Sequence, residues 1–216
     1  FPYNNLGELR VWGVLQRIAV CYLLAGLAVV LVRGAKGRLA IMFGLILAYE
    51  LLMRLPLVAG WGYGSFALED NFVRRLDLIW PGARHLYQGT GVPFDPEGLL
   101  SSLPAAAGTL AGYFAGEFLS RDRSLAYRLS GLAVAGAALS LAGWLLGLVE
   151  PINKQLWTTS YTVMMTGLAL LTLSLCGWLI DVRRWQRWAS PALVFGSNAL
   201  LAFVGSGLLV RILDLT

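Results

Sequence analysis

The sequence holds few of the side chains on which most enzymes build a reactive centre. Its 216 residues include one histidine, His85, and two cysteines, Cys21 and Cys176. A typical zinc site needs three or four Cys, His or carboxylate ligands, so no metal site is expected. Both cysteines lie inside apolar runs. They read as small core residues, and a disulfide framework is not expected. A lone histidine is more often a structural hydrogen-bonder than a catalyst, so His85 is a weak catalytic candidate. No G-x-S-x-G nucleophile elbow is present. The stretch "GWGYGS" at 60–65 alternates glycine but lacks a phosphate-loop lysine, and reads as a flexible loop. No internal repeat or low-complexity tract stands out. Charge is scarce as well: 13% of residues are Asp, Glu, Lys or Arg, against about a quarter in soluble domains, while 57% are apolar. These proportions exclude an ordinary water-soluble domain and point to a polytopic membrane protein.

A membrane-spanning helix needs about 20 predominantly apolar residues. Six segments qualify, at about 11–32, 39–60, 101–119, 127–149, 157–180 and 190–212. The expected fold is an all-α bundle of about six transmembrane helices within one partial membrane domain, residues 1–216, itself part of a larger bundle. The segments between spans are short except for 61–100, which mixes Gly, Pro and charges. On the third span Gly108, Gly112 and Gly116 recur every four residues, and Gly143 and Gly147 do so on the fourth. Small residues at this spacing predict close helix packing.

The net charge of +5 is explained by placement. Arg33, Lys36 and Arg38 follow the first span, Arg121, Arg123 and Arg128 the third, and Arg183, Arg184 and Arg187 the fifth. Basic residues in short loops mark the cytoplasmic side. The long loop balances Arg74, Arg75 and Arg84 against Glu69, Asp70, Asp77, Asp95 and Glu97, and is expected outside, as are both ends of the chain. No continuous basic face exists, so nucleic acid is not an expected partner. A chain that starts "FPYNN" on the outer side, with no signal peptide, is expected to be an internal piece of a longer protein.

Polar side chains inside spans are costly, and usually face a bundle interior or a wet cavity. Gln16 and Arg17 lie early in the first span, Glu50 and Arg54 are spaced i, i+4 on the second, and Ser197 and Asn198 interrupt the sixth. Glu50 and Arg54 predict a buried ion pair. Gln16, Arg17 and Asn198 are candidates to line a polar conduit. Asp95 and Glu97, in "GVPFDPEGLLSS", predict a helix start with Asp95 as N-cap and Pro96 at the first helical position. They also face the outer side, where a cationic ligand would arrive. Asn153 and Lys154, with Trp157, sit at the outer mouth of the fifth span.

Four segments together resemble one family in order and spacing: "RVWGVLQRIAVCYLLAGL", "HLYQGTGVPFDPEGLLSSLPAAAGTLAGYFAG", "PINKQLWTTSYTVMMTGLAL" and "FGSNALLAFV". The resemblance is to the heparan-alpha-glucosaminide N-acetyltransferase family and its bacterial relatives, and "FDPEGLL" and "PINKQLWT" are its most specific blocks. It implies a transmembrane acyltransferase that takes an acetyl group from cytoplasmic acetyl-CoA to an amino sugar on the outer face. For a bacterial relative this means the inner membrane, with loop 61–100 periplasmic. The substrate-binding residues expected on this basis are Gln16, Arg17, Asp95, Glu97, Asn153, Lys154 and Asn198. The family's catalytic histidine lies upstream of the segment matching Phe1, so the catalytic group of this chain is left unassigned. In the sixth span this chain has "VGSG" where some relatives carry a histidine. The expected partners are the lipid bilayer and a small amino sugar, and a second copy of the chain is a further candidate. Two other classes fit the polar residues: a sugar transporter or permease of N-acetylglucosamine type, and a structural or assembly protein.

Overall fold

The computed structural model describes residues 6–54 and 64–213. Among them are eight α-helices and no β-strand. They are α1 (Val14–Leu31), α2 (Ala35–Arg54), α3 (Phe72–Asp77), α4 (Ser102–Leu119), α5 (Leu125–Leu146), α6 (Thr159–Gly177), α7 (Ser190–Ser197) and α8 (Ala199–Leu213). The expected end of the second span, 55–60, and the start of "GWGYGS" lie outside the described residues.

Local chemistry sets several boundaries. The α1–α2 turn closes at Gly34, whose φ of +90° suits glycine. The Asn71, Ser124 and Thr158 side chains accept the backbone N–H three residues on, capping α3, α5 and α6. The expected cap of α4 is not formed, because that helix starts at Ser102, seven residues after Asp95. Asp95 instead accepts the N–H of Glu97 at 3.1 Å, and its carbonyl takes the N–H of Gly98 at 3.1 Å. Pro93 and Pro96 therefore shape a turn that precedes the helix.

Three helices are long and apolar enough to cross a membrane: Val14–Leu31, Leu125–Leu146 and Thr159–Val182, the last including a wider turn after Gly177. The expectation of six spans is not met on these grounds. α2 carries Lys36, Arg38, Glu50 and Arg54. α4 is rich in Ala and Gly and is the most enclosed helix, packing on α1, α2 and α6. A helix wrapped by neighbours needs no lipid-facing apolar surface. The sixth segment is broken at Asn198: Arg187–Ser197 and Ala199–Leu213 meet at 80°, and count as a fourth span only if taken together.

α5 and α6 form a tight antiparallel hairpin, and glycine makes it possible. A Cβ on Gly143 would stand 2.4 Å from the Met164 nitrogen, one on Gly167 2.4 Å from the Ser140 nitrogen, and one on Gly136 2.8 Å from the Gly167 oxygen. At the far end Ser174 Oγ donates to the Leu129 carbonyl at 2.7 Å. The glycines of α4 behave differently. A Cβ on Gly112 or Gly116 would meet nothing within 4 Å, and one on Gly108 only a Thr162 methyl at 3.9 Å. The packing expected of Gly108, Gly112 and Gly116 is thus absent, since they leave space rather than close it.

The described ends of the bundle differ in character. The start of α1, the ends of α2 and α5, and the starts of α4 and α6 come together under the long loop. The arginine-rich turns after α1, α4 and α6 lie at the other ends of those helices. Beneath the loop a core of Tyr49, Met53, Phe72, Val73, Phe94, Leu100 and Leu156 seals that end, and the Tyr49 hydroxyl donates to the Leu156 carbonyl at 2.9 Å.

Candidate functional site

Arg17 lies in the first turn of α1, and its side chain turns into the protein, leaving the residue 6% exposed. A guanidinium buried there must find acceptors or a π face. One terminal nitrogen donates to both the Pro96 carbonyl and Ser101 Oγ, and the guanidinium carbon lies 4.7 Å from the Trp157 ring centre, a cation–π contact. Nε of Arg17 is buried with no hydrogen-bond partner among the described residues. Its partners are therefore the loop and the Trp157 face. Gln16 does not join it: one residue back on a helix means about 100° of rotation, and Gln16 is exposed.

Trp157 reaches Arg17 from an unusual backbone. Its φ is +57°, in the left-handed region that non-glycine residues rarely adopt. The turn before it enforces this. Asn153 Oδ1 accepts the N–H groups of Gln155 and Leu156 at 2.8 and 3.2 Å, and Thr158 Oγ1 donates to the Pro151 carbonyl at 2.9 Å. Asn153 thus shapes the turn that presents Trp157, while Lys154 points to solvent. Tyr161 packs edge-on against the indole at 5.2 Å.

The two acids of the turn before α4 are already paired. Arg10 donates Nε to Asp95 Oδ2 at 2.8 Å and Nη2 to Asp95 Oδ1 at 2.7 Å, and the same Nη2 reaches Glu97 Oε2 at 2.6 Å. The hydrogen bond to Asp95 and both negative charges hold the guanidinium above its ordinary pKa, against partial burial. Asp95 is fully buried, so it ties the segment before α1 to the loop and has no open face for a ligand. Glu97 keeps 21% of its side chain exposed. His85 serves the same segment: its Nδ1 lies 2.8 Å from the Leu9 carbonyl, and its own carbonyl takes the Val11 N–H at 3.1 Å.

Two further acids were not singled out from the sequence. Asp77, at the end of α3, is fully buried and accepts the Leu99 N–H at 3.2 Å on Oδ1, while Oδ2 has no partner among the described residues. Burial pushes its carboxyl up to about 7; the Asp95 charge adds to this, and the Leu99 N–H and Arg17 oppose it. Glu150, just past α5, accepts the Thr159 and Ser160 N–H groups at 3.2 and 3.3 Å, a carboxylate on the positive end of α6. Burial and then the nearby Glu50 raise it to about 7, against those two N–H groups. Glu50 also accepts the Thr159 hydroxyl and pairs with Arg54 at 2.7 Å. That pair is formed at the expected spacing, but Arg54 is 44% exposed, so it is a rim contact and not a buried lock. In the sequence Asp77 sits among arginines and Glu150 beside a proline, where neither looks buried.

Below Trp157 a cavity of about 340 Å³ opens between α4 and α6, lined by Gly108, Thr109, Gly112, Trp157, Thr162 and Thr166 among others. A second, of about 280 Å³, continues towards Phe114 and Phe118, and both touch Thr166 and Leu170. Asn198 is outside this region. It is exposed at the α7–α8 break, where Nδ2 donates to the Val194 carbonyl at 3.0 Å. Of the seven residues expected to bind substrate, the structure brings Arg17, Asp95 and Glu97 to the turn before α4 and puts Asn153 in a second turn that meets Arg17 through Trp157, while Gln16, Lys154 and Asn198 lie outside both.

No protein-family model matches the chain. It is similar to the heparan-alpha-glucosaminide N-acetyltransferase of Homo sapiens, 27% identical over 165 residues, which is 67% of this chain and 24% of the human protein. It is also similar to the Mus musculus protein of that name, 30% identical over 147 residues, 60% of this chain and 22% of the other. The chain thus spans about a quarter of the length of the curated relatives it matches. The resemblance to the heparan-alpha-glucosaminide N-acetyltransferase family holds against these two proteins.

Proposed function

We propose that this chain is part of a membrane-bound N-acetyltransferase that moves an acetyl group from cytoplasmic acetyl-CoA to an amino sugar on the outer face of the membrane. The observation that carries the proposal is a meeting point. The two most specific blocks, "FDPEGLL" and "PINKQLWT", lie about 60 residues apart in sequence, yet both converge on Arg17 of "VLQR", one through Pro96 and Ser101, the other through Trp157. Three separated segments building one buried cation is the arrangement expected of a site rather than of helix packing.

The chemistry asks for few groups from this chain. Acyl transfer to an amine gains most from donors aimed at the developing oxyanion. Arg17 has a buried N–H with no acceptor among the described residues, which suits that role. The α4–α6 cavities lie between Arg17's platform, Trp157, and the inner aromatic end at Phe118. A narrow, mainly apolar passage with three threonine hydroxyls suits the arm of an acyl thioester. The arginine-rich turns at the far end supply cations for phosphate groups. Acetyl-CoA is the donor this reading names, and it assigns no catalytic base.

Membranes holding the full-length protein are given acetyl-CoA labelled in the acetyl group, with glucosamine on the other side. Labelled N-acetylglucosamine, lost in Arg17→Lys with normal insertion, supports the proposal, because lysine keeps the charge but not the planar fork. Movement of sugar across the membrane without acetyl-CoA, and no labelled product, would establish a permease instead.

A further inference from the structure

Asp77 stands directly behind the turn that holds Arg17. Its Oδ2 lies so close to Gly98 that a Cβ there would come within 1.9 Å of it. Its Oδ1 accepts the N–H of the next residue, Leu99. The Gly98 carbonyl receives the hydroxyls of both Ser101 and Ser102 at 3.0 Å, and Ser101 Oγ in turn accepts from Arg17. Asp77, the Gly98–Leu99 peptide, Ser101 and the guanidinium thus form one stack, with the acid on one side of the turn and the cation on the other.

The charges around it are accounted for. Asp95 and Glu97 are both engaged by Arg10. On α3 itself Arg74 donates to the Pro93 and Glu69 carbonyls, and Arg75 pairs with Asp70 at 2.7 Å. Among the described residues, Asp77 and Arg17 are buried groups of opposite sign on the two sides of this turn, without a mutual hydrogen bond. A buried carboxyl oxygen without a partner is costly, and it is retained here where glycine alone gives it room.

We propose that Asp77 is a positioning residue for Arg17: through Gly98, Leu99 and Ser101 it fixes where the guanidinium points, and its charge state adjusts the strength of that hold. It does not touch the ligand. This role rests on the acyl-transfer reading only for its consequence in catalysis; the mechanical link stands without it. Nothing in the residue types of the loop marks Asp77 for this, since its contact runs through a glycine with no side chain to signal it.

The test uses purified full-length protein and a water-soluble dicarbonyl reagent that modifies arginine, with the rate at Arg17 followed by mass spectrometry in the absence of substrate. Arg17 of the wild type should react slowly. Asp77→Ala, which removes the acceptor of the Leu99 N–H and empties the space behind Gly98, should raise the rate at Arg17 at least tenfold while Arg10 and the turn arginines change little. Asp77→Asn keeps the acceptor and should leave Arg17 protected. It should also remove an ionisation near pH 7 from the acetyl-transfer profile while KM for acetyl-CoA stays unchanged. An Asp77→Ala protein that folds and protects Arg17 as well as wild type overturns the proposal. Should that variant fail to fold, an Asp77→Asn protein with an unaltered pH profile overturns it equally. Wild-type protein that transfers no acetyl group sinks the acyltransferase reading but leaves the protection experiment in force.

Discussion

Arg10 grips Asp95 with two parallel hydrogen bonds, of 2.8 and 2.7 Å, across 85 residues of sequence. The carboxylate is fully buried and the guanidinium 36% exposed. Fork-to-fork pairing of this kind is the strongest geometry open to these groups, and it anchors the segment before α1 to the turn before α4. Arg10→Ala leaves the Asp95 carboxyl enclosed without its partner. Breaking a buried pair costs about 3 kcal/mol or more, with the low end expected here because Arg10 is partly solvated. Thermal unfolding in detergent should show the loss, and a neutral pair, Arg10→Met with Asp95→Asn, should recover much of it. An Arg10→Ala melting temperature equal to wild type would mean that Asp95 is reached by water.

Two sets of glycines at helical spacing should respond oppositely to alanine. Gly143→Ala drives a methyl into the Met164 backbone and is expected to cost about 1–3 kcal/mol by overpacking. Gly112→Ala meets nothing within 4 Å, and should be neutral or stabilising by up to about 1 kcal/mol from helix propensity. Melting temperatures of the two single variants decide the matter, and equal losses would show that α4 also packs through its glycines.

Stability should fall as pH rises towards neutrality. Asp77 and Glu150 both sit at about 7 in the folded protein, raised chiefly by burial. Their unfolded values are about 4, so the folded state binds more protons between these limits, and the slope of stability with pH is negative there. The contribution is complete below pH about 4 and is lost as pH passes through about 7. Glu150→Gln and Asp77→Asn should each flatten part of this decline in a series of melts. A decline of undiminished slope in the double variant would place its origin elsewhere.

Sidedness is open to direct labelling. In a background lacking Cys21 and Cys176, single cysteines at Lys36, Asp122 and Gln186 should react with an impermeant maleimide only from the cytoplasm, and one at Gln88 only from outside. All four positions are exposed. Reaction of the Gln88 cysteine from the cytoplasmic side would invert the arrangement on which the proposed direction of transfer rests.

Composition and periodicity alone determined that this chain is helical and membrane-embedded, because scarce charge and long apolar runs leave little else that can satisfy the backbone in lipid. They also placed the arginine-rich turns, marked Arg17 as a cation needing a partner, and located the i, i+4 pair of Glu50 and Arg54. The tertiary structure decided the rest, since burial and partnership belong to pairs of distant segments. Asp95 looked like a helix cap, but the helix starts later and the acid belongs to Arg10. Gly112 and Gly143 both belong to four-residue glycine repeats, yet only Gly143 faces a neighbouring backbone. Gln16 and Arg17 are adjacent in sequence, and one helical step sends one outward and the other inward. Asp77 acquires its place from a glycine on another segment, a contact that residue types cannot announce because glycine contributes no side chain to it.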